Sequence, residues 1–233
     1  MTKIVVIDPG HGGKDPGASA NGLKEKDIVL KISKYAKAAL ENNYEGAKVY
    51  LTRSTDVFVE LSERANFANK KKADLFVSNH VNAGGGTGFE SYVYTSINGG
   101  STEKMRSAVH YEVKKVYNGF KDRGKKKANL AVVRETAMEA MLLEHLFIDT
   151  KKDANFLKSD ANLKKVAAAE AKGIAKALGL KAKSKPVAKP SPSSGGSNNL
   201  YKVQLGAFAS KANAEKLVVE LKKKGYKAYI DKE

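Results

Sequence analysis

Short apolar runs rich in β-branched residues alternate with longer stretches of helical periodicity over the first 180 residues. That alternation restricts the chain to a sheet with helices packed on its faces. Residues 3–7, 48–52 and 74–78 read as buried strands, and they run out into Asp8-Pro9-Gly10, Thr52-Arg53 and Asn79-His80. Between them, residues 25–41 repeat apolar side chains at Ile28, Ile32, Tyr35, Ala36 and Ala39, and residues 60–71 align Leu61, Ala65 and Ala68, as one face of a helix requires. Further strands are predicted over 88–95, 129–134 and 140–147, with helices near 101–117 and 160–178. The expected fold class is α/β, a mixed, mostly parallel sheet flanked by helices. In such sheets ligands bind beyond the carboxyl ends of the strands, where His11 and His80 lie.

The pattern breaks at residues 181–199, KAKSKPVAKPSPSSGGSNN, where Lys, Pro, Ser, Gly and Asn replace every apolar period. This segment reads as a flexible linker between a unit at 1–180 and a small unit at 200–233. The small unit has the order strand, helix, strand, with Ala212, Leu217, Val218 and Leu221 on the inner side of its helix. Some 34 residues cannot bury enough apolar area to stand alone. Its exposed helix face and sheet edges would invite a second copy, so a homodimer through 200–233 is expected, with docking in cis or truncation of a longer tail as the alternatives.

Charge and composition narrow the chemistry. The net charge is +17, and residues 181–233 alone hold 12 lysines against four acidic residues, which favours a polyanionic partner. A nucleic acid is not expected, because no helix-turn-helix pattern is present and the aromatics of YKVQLGAF flank an apolar strand. The chain has no cysteine, so any metal must be held by His and carboxylate ligands and a thiol nucleophile is excluded. No stretch reaches the ~18 apolar residues of a membrane span. The amino-terminal run Ile4-Val5-Val6-Ile7 is too short for a signal h-region, so synthesis in the cytoplasm and release by lysis, a holin or another non-classical route are expected.

Four histidines are available. His11 in DPGHGG and His80 in SNHVNAGGG both follow strands and sit among glycines, which offer no side chain to pack on and let the backbone approach a ligand closely. His110 lies among Val109, Tyr111 and Val113 in a helix and reads as a surface or packed residue. Glu25 opens a helix and by itself reads as a first-turn acid stabilised by the helix dipole. Glu144 interrupts an apolar strand, where a carboxylate is costly to bury without a partner or a task.

DPGHGGKDPGA at 8–18, NGLKEKD at 21–27, LTRSTD at 51–56, SERANFAN at 62–69, ADLFVSNHVNA at 73–83 and LLEHLFID at 142–149 resemble, in order, the motif series of the zinc N-acetylmuramoyl-L-alanine amidases, or amidase_3 family. Mother-cell lytic amidases of sporulating Gram-positive bacteria and related phage endolysins are especially similar. The resemblance covers about residues 3–179. It implies one catalytic Zn2+ ion held by His11, Glu25 and His80, with Glu144 as the catalytic carboxylate. It also implies hydrolysis of the amide joining N-acetylmuramic acid to L-alanine. Residues 200–233 resemble one sporulation-related (SPOR) repeat, which implies peptidoglycan and anionic wall polymers as partners.

His145 departs from the small residue usual at that position. Strand alternation turns it away from Glu144, as a structural or exposed group, unless a bulge brings it into the cleft. Asn82, Arg64 and the Arg123-Gly124 pair fall at motif positions and read as scaffold, and Lys125, Lys126 and Lys127 read as a loop. A wall-binding protein with a decayed catalytic domain is the competing reading. It is disfavoured because all four catalytic positions carry the required residue types.

Overall fold

A computed structural model describes residues 2–183, 206, 208–226 and 228–230. The chain divides into two compact units, residues 1–186 and 187–233.

In the first unit a six-stranded sheet is built from β1 (Lys3–Pro9), β4 (Ala47–Leu51), β5 (Leu75–Asn82), β6 (Phe89–Tyr94), β7 (Asp122–Ala128) and β8 (Glu139–Phe147). A two-stranded ribbon, β2 (Ser19–Ala20) with β3 (Leu23–Lys24), lies outside it. The order is β4-β1-β5-β8-β6-β7, and every pairing is parallel except β6 with β8. The sheet is thus mixed and mostly parallel, as the alternating pattern predicted.

Side-chain alternation sorts the core into two layers. Val5, Ile7, Leu75, Val77, Met141 and Leu143 face α1 (Glu25–Asn43), α3 (Gly100–Val116) and α6 (Asp160–Ala177), which contribute Ile28, Val109 and Val166 to one apolar cluster. Val6, Phe76, Ala140 and Leu142 face the other way, against Ala68 of α2 (Leu61–Lys70) and Val132 and Val133 of α4 (Ala131–Arg134). A short helix, α5 (Lys151–Leu157), leads into α6. Burying each strand on both faces explains why these strands read as continuous apolar runs.

The predicted strand at 129–134 is not formed. The strand lies earlier, at Asp122–Ala128, and Ala131–Arg134 is a helical turn. Sequence reading takes the lysines at 125–127 for a loop, yet they occupy the edge strand β7. There Lys125 bonds Ser107, Lys126 bonds Glu90 and Lys127 bonds Asn98. Lysine on an edge strand discourages further strand pairing. Val132 and Val133 meanwhile reach the α2 layer together from a single helical turn.

In the second unit the helix α7 (Lys211–Lys223) forms as predicted, but none of its residues is buried. Leu217, Val218 and Leu221 are half-buried, whereas Ala212, expected on the inner side, is exposed and Ala214 takes that place. Of the strands predicted over 200–208 and 226–233, the described residues 206, 208, 226 and 228–230 are not in strands, and the rest lie outside the described residues. No helix among the described residues is long and apolar enough to cross a membrane.

A buried polar chain lies on the α1/α6 side of the sheet. Asn79 on β5 donates to Ser33 Oγ at 3.0 Å and to the Glu170 carboxyl at 3.2 Å. His145 joins Asn79 Oδ1 through Nε2 and the Tyr117 hydroxyl through Nδ1, both at 2.9 Å. Burial holds His145 neutral, its pKa pushed down to about 3. Burial also pushes Glu170 up to about 8, against the hydrogen bond from Asn79. Between its ordinary value of 4.5 and about 8, native Glu170 keeps a proton that the unfolded chain has released. Native stability contributed by this group therefore falls as pH rises through that window. Glu170→Gln should remove the slope. Relative to the variant, the wild type is expected to lose on the order of a few kcal/mol between pH 5 and 8 in denaturant titrations. Identical pH profiles would contradict the assignment.

Candidate metal centre and active site

The site lies wholly in the first unit, at the carboxyl ends of β1 and β5 and on the α2/α4 side of the sheet. Strand alternation puts Asp8, Ser78, His80, Leu142 and Glu144 on this side. Asp8, at the end of β1, is fully buried and accepts from Arg64 Nη1 at 2.9 Å, Ser78 Oγ at 2.7 Å and the Thr52 hydroxyl. Arg64 also donates to the carbonyls of Pro9 and His11, both at 2.8 Å. Arg53 donates to those of Pro9, at 2.9 Å, and Gly10, at 2.7 Å. Two buried guanidiniums thus set the path of the Asp8–His11 turn.

That turn brings His11 to Glu25 and His80. His11 has φ +59, a left-handed conformation uncommon for a residue with a side chain. Gly10 meets the His80 ring so closely that a Cβ there would stand 2.3 Å from Cε1. Only glycine fits that approach. Glu25, the first residue of α1, reaches back so that Oε1 lies 3.1 Å from His11 Nε2 and 3.0 Å from His80 Nδ1. The carboxylate is fixed by backbone donors, Val81 N–H on Oε1 and Ala18 N–H on Oε2, each at 2.9 Å. One candidate donor atom from each of His11, Glu25 and His80 lies within 4.8 Å of the others. Asp15, which sequence reading passed over, accepts from His11 Nδ1 at 2.7 Å and so leaves Nε2 turned to Glu25. A carboxylate four residues after a histidine in a glycine-rich turn was the available signal.

Glu144 is the register partner of His80 on the neighbouring strand. Its Oε2 is buried without a hydrogen-bond partner among the described residues. Burial raises its pKa to about 7, opposed by His80 and reinforced by the charges of Glu25 and Glu90. β8 does bulge opposite Val81, where Leu146 has φ +62. The bulge nevertheless leaves His145 in the core, fully buried and turned from Glu144, so it is structural and not exposed. His110 is a packed residue between Ser91, at 2.8 Å, and Asp122, at 3.1 Å. Asn82 donates to Glu90 at 2.6 Å, and Glu90 is itself a buried acid that sequence reading did not single out.

Residues 5–176 match the family described as N-acetylmuramoyl-L-alanine amidase. The chain belongs to that family. Residues 197–233 match the SPOR domain. The sporulation-specific N-acetylmuramoyl-L-alanine amidase of Bacillus subtilis (strain 168) is 46% identical over 230 residues, covering 99% of this chain and 84% of its own. The endolysin of Bacillus phage SPP1 is 52% identical over 204 residues, 84% of this chain and 74% of the phage protein. Among solved structures, the catalytic domain of the amidase CwlV from Bacillus (Paenibacillus) polymyxa var. colistinus superposes with a TM-score of 0.72 at 34% identity, covering 77% of this chain and all of that domain. The amidase AmiC2 of Nostoc punctiforme gives a TM-score of 0.70 at 37% identity over 76% of this chain and 97% of that one.

The donor set of this amidase fits a metal ion: two imidazoles and an ionised carboxylate converge on one point. Without a metal, protons take its place. Burial opposes a charge on His11, but the hydrogen bond and charge of Glu25, then those of Asp15, outweigh it and push the imidazole up to about 9. His80 moves in the same direction against its burial, through Glu25 and Glu144. Glu25 is held well below the ordinary carboxylate range by both imidazoles despite its own burial. A metal must displace these protons, so affinity should rise with pH, by about tenfold per unit well below pH 9 from His11 alone, and flatten as pH approaches 9. Competition against a chromophoric chelator from pH 6 to 9 measures this. An affinity independent of pH would show that the histidines are not the ligands.

Proposed function

We propose that His11 Nε2, Glu25 and His80 Nδ1 hold one zinc ion and that Glu144 carries the proton while the amide between N-acetylmuramic acid and L-alanine is hydrolysed. The amide is the bond for which the family is named. The observation that carries the zinc assignment is the convergence of two imidazoles and one carboxylate within 4.8 Å, in a chain with no thiol. Three such ligands leave a tetrahedral ion one open position, the pattern of a catalytic rather than a structural site. Zinc bound there would polarise the scissile carbonyl and acidify the attacking water.

The chain's own groups do the rest. Asp15 holds the His11 ring in orientation, and a carboxylate on the far nitrogen of a ligating histidine also raises its basicity. The Val81 and Ala18 amides keep Glu25 from swinging out of the site. Glu144 receives a proton from the attacking water at its carboxylate and returns one to the departing nitrogen of alanine. In the metal-free site burial holds this carboxyl near pH 7, above the ordinary carboxylate range, which favours its taking up a proton from water. No serine or cysteine nucleophile is required.

The reading extends to three parts of the chain: residues 1–180 catalytic, 181–199 a tether and 200–233 a wall-binding element acting at the cell wall. The SPOR match at 197–233 and the lysine-rich composition support peptidoglycan and its anionic polymers as the surface bound. Phe208, Val219, Tyr226, Tyr229 and Ile230 are exposed, and α7 buries none of its residues, which favours pairing with the same segment of a second chain. Two copies would raise avidity on a polymer without a new binding surface.

Glu144→Gln should retain the metal, because the ligands are untouched, while turnover falls by about 10²–10⁴-fold. Metal content by atomic absorption, beside release of amino-terminal alanine, tests this, and an active variant would sink the proton-carrier role. Removing residues 181–233 should convert a dimer to a monomer in sedimentation and lower retention on whole walls, with little loss of activity on soluble fragments. Retention of the full chain should fall steeply with salt, since screening weakens exposed lysines on a polyanion. Salt-independent retention, or a full chain that stays monomeric, would overturn that part of the reading.

A further inference from the structure

A row of residues crosses the sheet at the site. His80 on β5 pairs with Glu144 on β8, Glu144 with Glu90 on β6, and Glu90 with Gly124 on β7. Partners in one row project to the same face. At this row β7 breaks register: Phe89 pairs with Asp122 and Glu90 with Gly124, leaving Arg123 as an extra residue. Such a bulge bends the strand and re-aims a side chain. It is pinned in place, because Gly124, at φ +85, donates its N–H to Asp122 Oδ1 at 2.9 Å. Asp122 is in turn held by His110 at 3.1 Å and Lys114 at 2.7 Å.

The re-aimed side chain turns back toward Glu90. Arg123 Nε donates to Glu90 Oε2 at 2.8 Å, and its guanidinium carbon lies 4.8 Å from the centre of the Phe147 ring. Glu90 itself is anchored by Asn82 Nδ2 at 2.6 Å, Tyr92 hydroxyl at 3.0 Å and the Lys126 ammonium. The guanidinium is therefore fixed along one edge and on one face. Its Nη1 and Nη2 make no hydrogen bond among the described residues, and 27% of the side chain is exposed. Glu90 has no acceptor site left for the rest of the fork, since Asn82 and Tyr92 occupy its Oε1 and Lys126 shares Oε2 with Arg123 Nε. The edge left free matches a carboxylate in two-pronged geometry.

We propose that Arg123 binds substrate by receiving a carboxylate on the peptide side of the scissile amide, and that it selects stem peptides whose second residue carries a free carboxylate over those in which it is amidated. This rests on the amidase reading of the site. The side follows from chemistry: the carboxyl of the muramoyl group is consumed in the amide that is cut, so a carboxylate near that bond belongs to the peptide. The distance also fits. From β5 to β7 is three strand spacings, about 14 Å. Less the reach of the arginine side chain, that leaves room for one to two residues of extended peptide at about 3.5 Å each.

The test uses the zinc-loaded full chain and two soluble muramoyl-peptides, identical except for a carboxylate or a carboxamide on the second residue. Binding is measured by calorimetry on the Glu144→Gln chain, and turnover on the wild type. The carboxylate substrate should bind about tenfold or more tightly, seen in turnover as a lower KM at similar kcat. Arg123→Gln should bring the ratio of the two substrates close to one. Arg123→Lys, which keeps a charge opposite Glu90 but lacks the fork, should retain part of it. Equal affinity of the unsubstituted Arg123 chain for both peptides overturns the proposal, as does a ratio preserved in Arg123→Gln or equal weakening of both peptides in both variants. Failure of the amidase reading is a separate result: neither peptide is cut by the wild type while the Glu144→Gln chain still tells them apart.

Discussion

The Glu25 carboxylate is the contact on which the site's geometry depends. One oxygen sits about 3 Å from a nitrogen of each imidazole, and both oxygens are pinned by backbone amides from different parts of the chain. A buried carboxylate between two imidazoles is tolerable only if positive charge accompanies it, either two protons or one metal ion. Everything around it serves to place those three groups. Asp8 and its ring of donors hold the end of β1, Arg53 and Arg64 capture the carbonyls of the turn, and Gly10 admits the His80 ring.

The two sides of the sheet divide the work. Odd-numbered residues at the ends of β5 and β8, Asn79 and His145, enter a closed polar chain with Ser33, Glu170 and Tyr117. Their even-numbered neighbours, His80 and Glu144, project to the other side of the sheet, into the candidate site. A buried network in which each member has a partner holds the strand ends rigid, and rigidity there is what a preorganised site needs. Glu90 supports Glu144 from the third strand, its charge helping to keep that carboxyl close to neutral pH in its titration.

Much of this was legible in the sequence because it depends on local pattern. Buried parallel strands must be apolar throughout, and histidines among glycines at strand ends have nothing to pack on, so β1, β5, His11 and His80 stood out. Glu25 was not legible from its surroundings, since a first-turn acid is common, and only the ordered motif series singled it out. Partners that depend on register escaped: Glu90 and Arg123 meet only because β6 and β7 pair with a bulge. The lysine run of β7 mimics a loop because an edge strand needs little apolar surface. Glu170 left a signal that could have been used, for it shares the stripe of Leu163, Val166, Ala167 and Ile174 on α6, where a solvated acid would not sit.

One metal ion held by His11, Glu25 and His80 is proposed to make this chain an amidase. The most direct test titrates zinc into metal-free protein while following new amino-terminal alanine released from purified peptidoglycan. Turnover should rise in proportion to bound zinc and level off at one ion per chain. Full turnover without metal, or release of reducing sugar ends in place of alanine amines, would contradict zinc-dependent cleavage of the muramoyl–alanine amide.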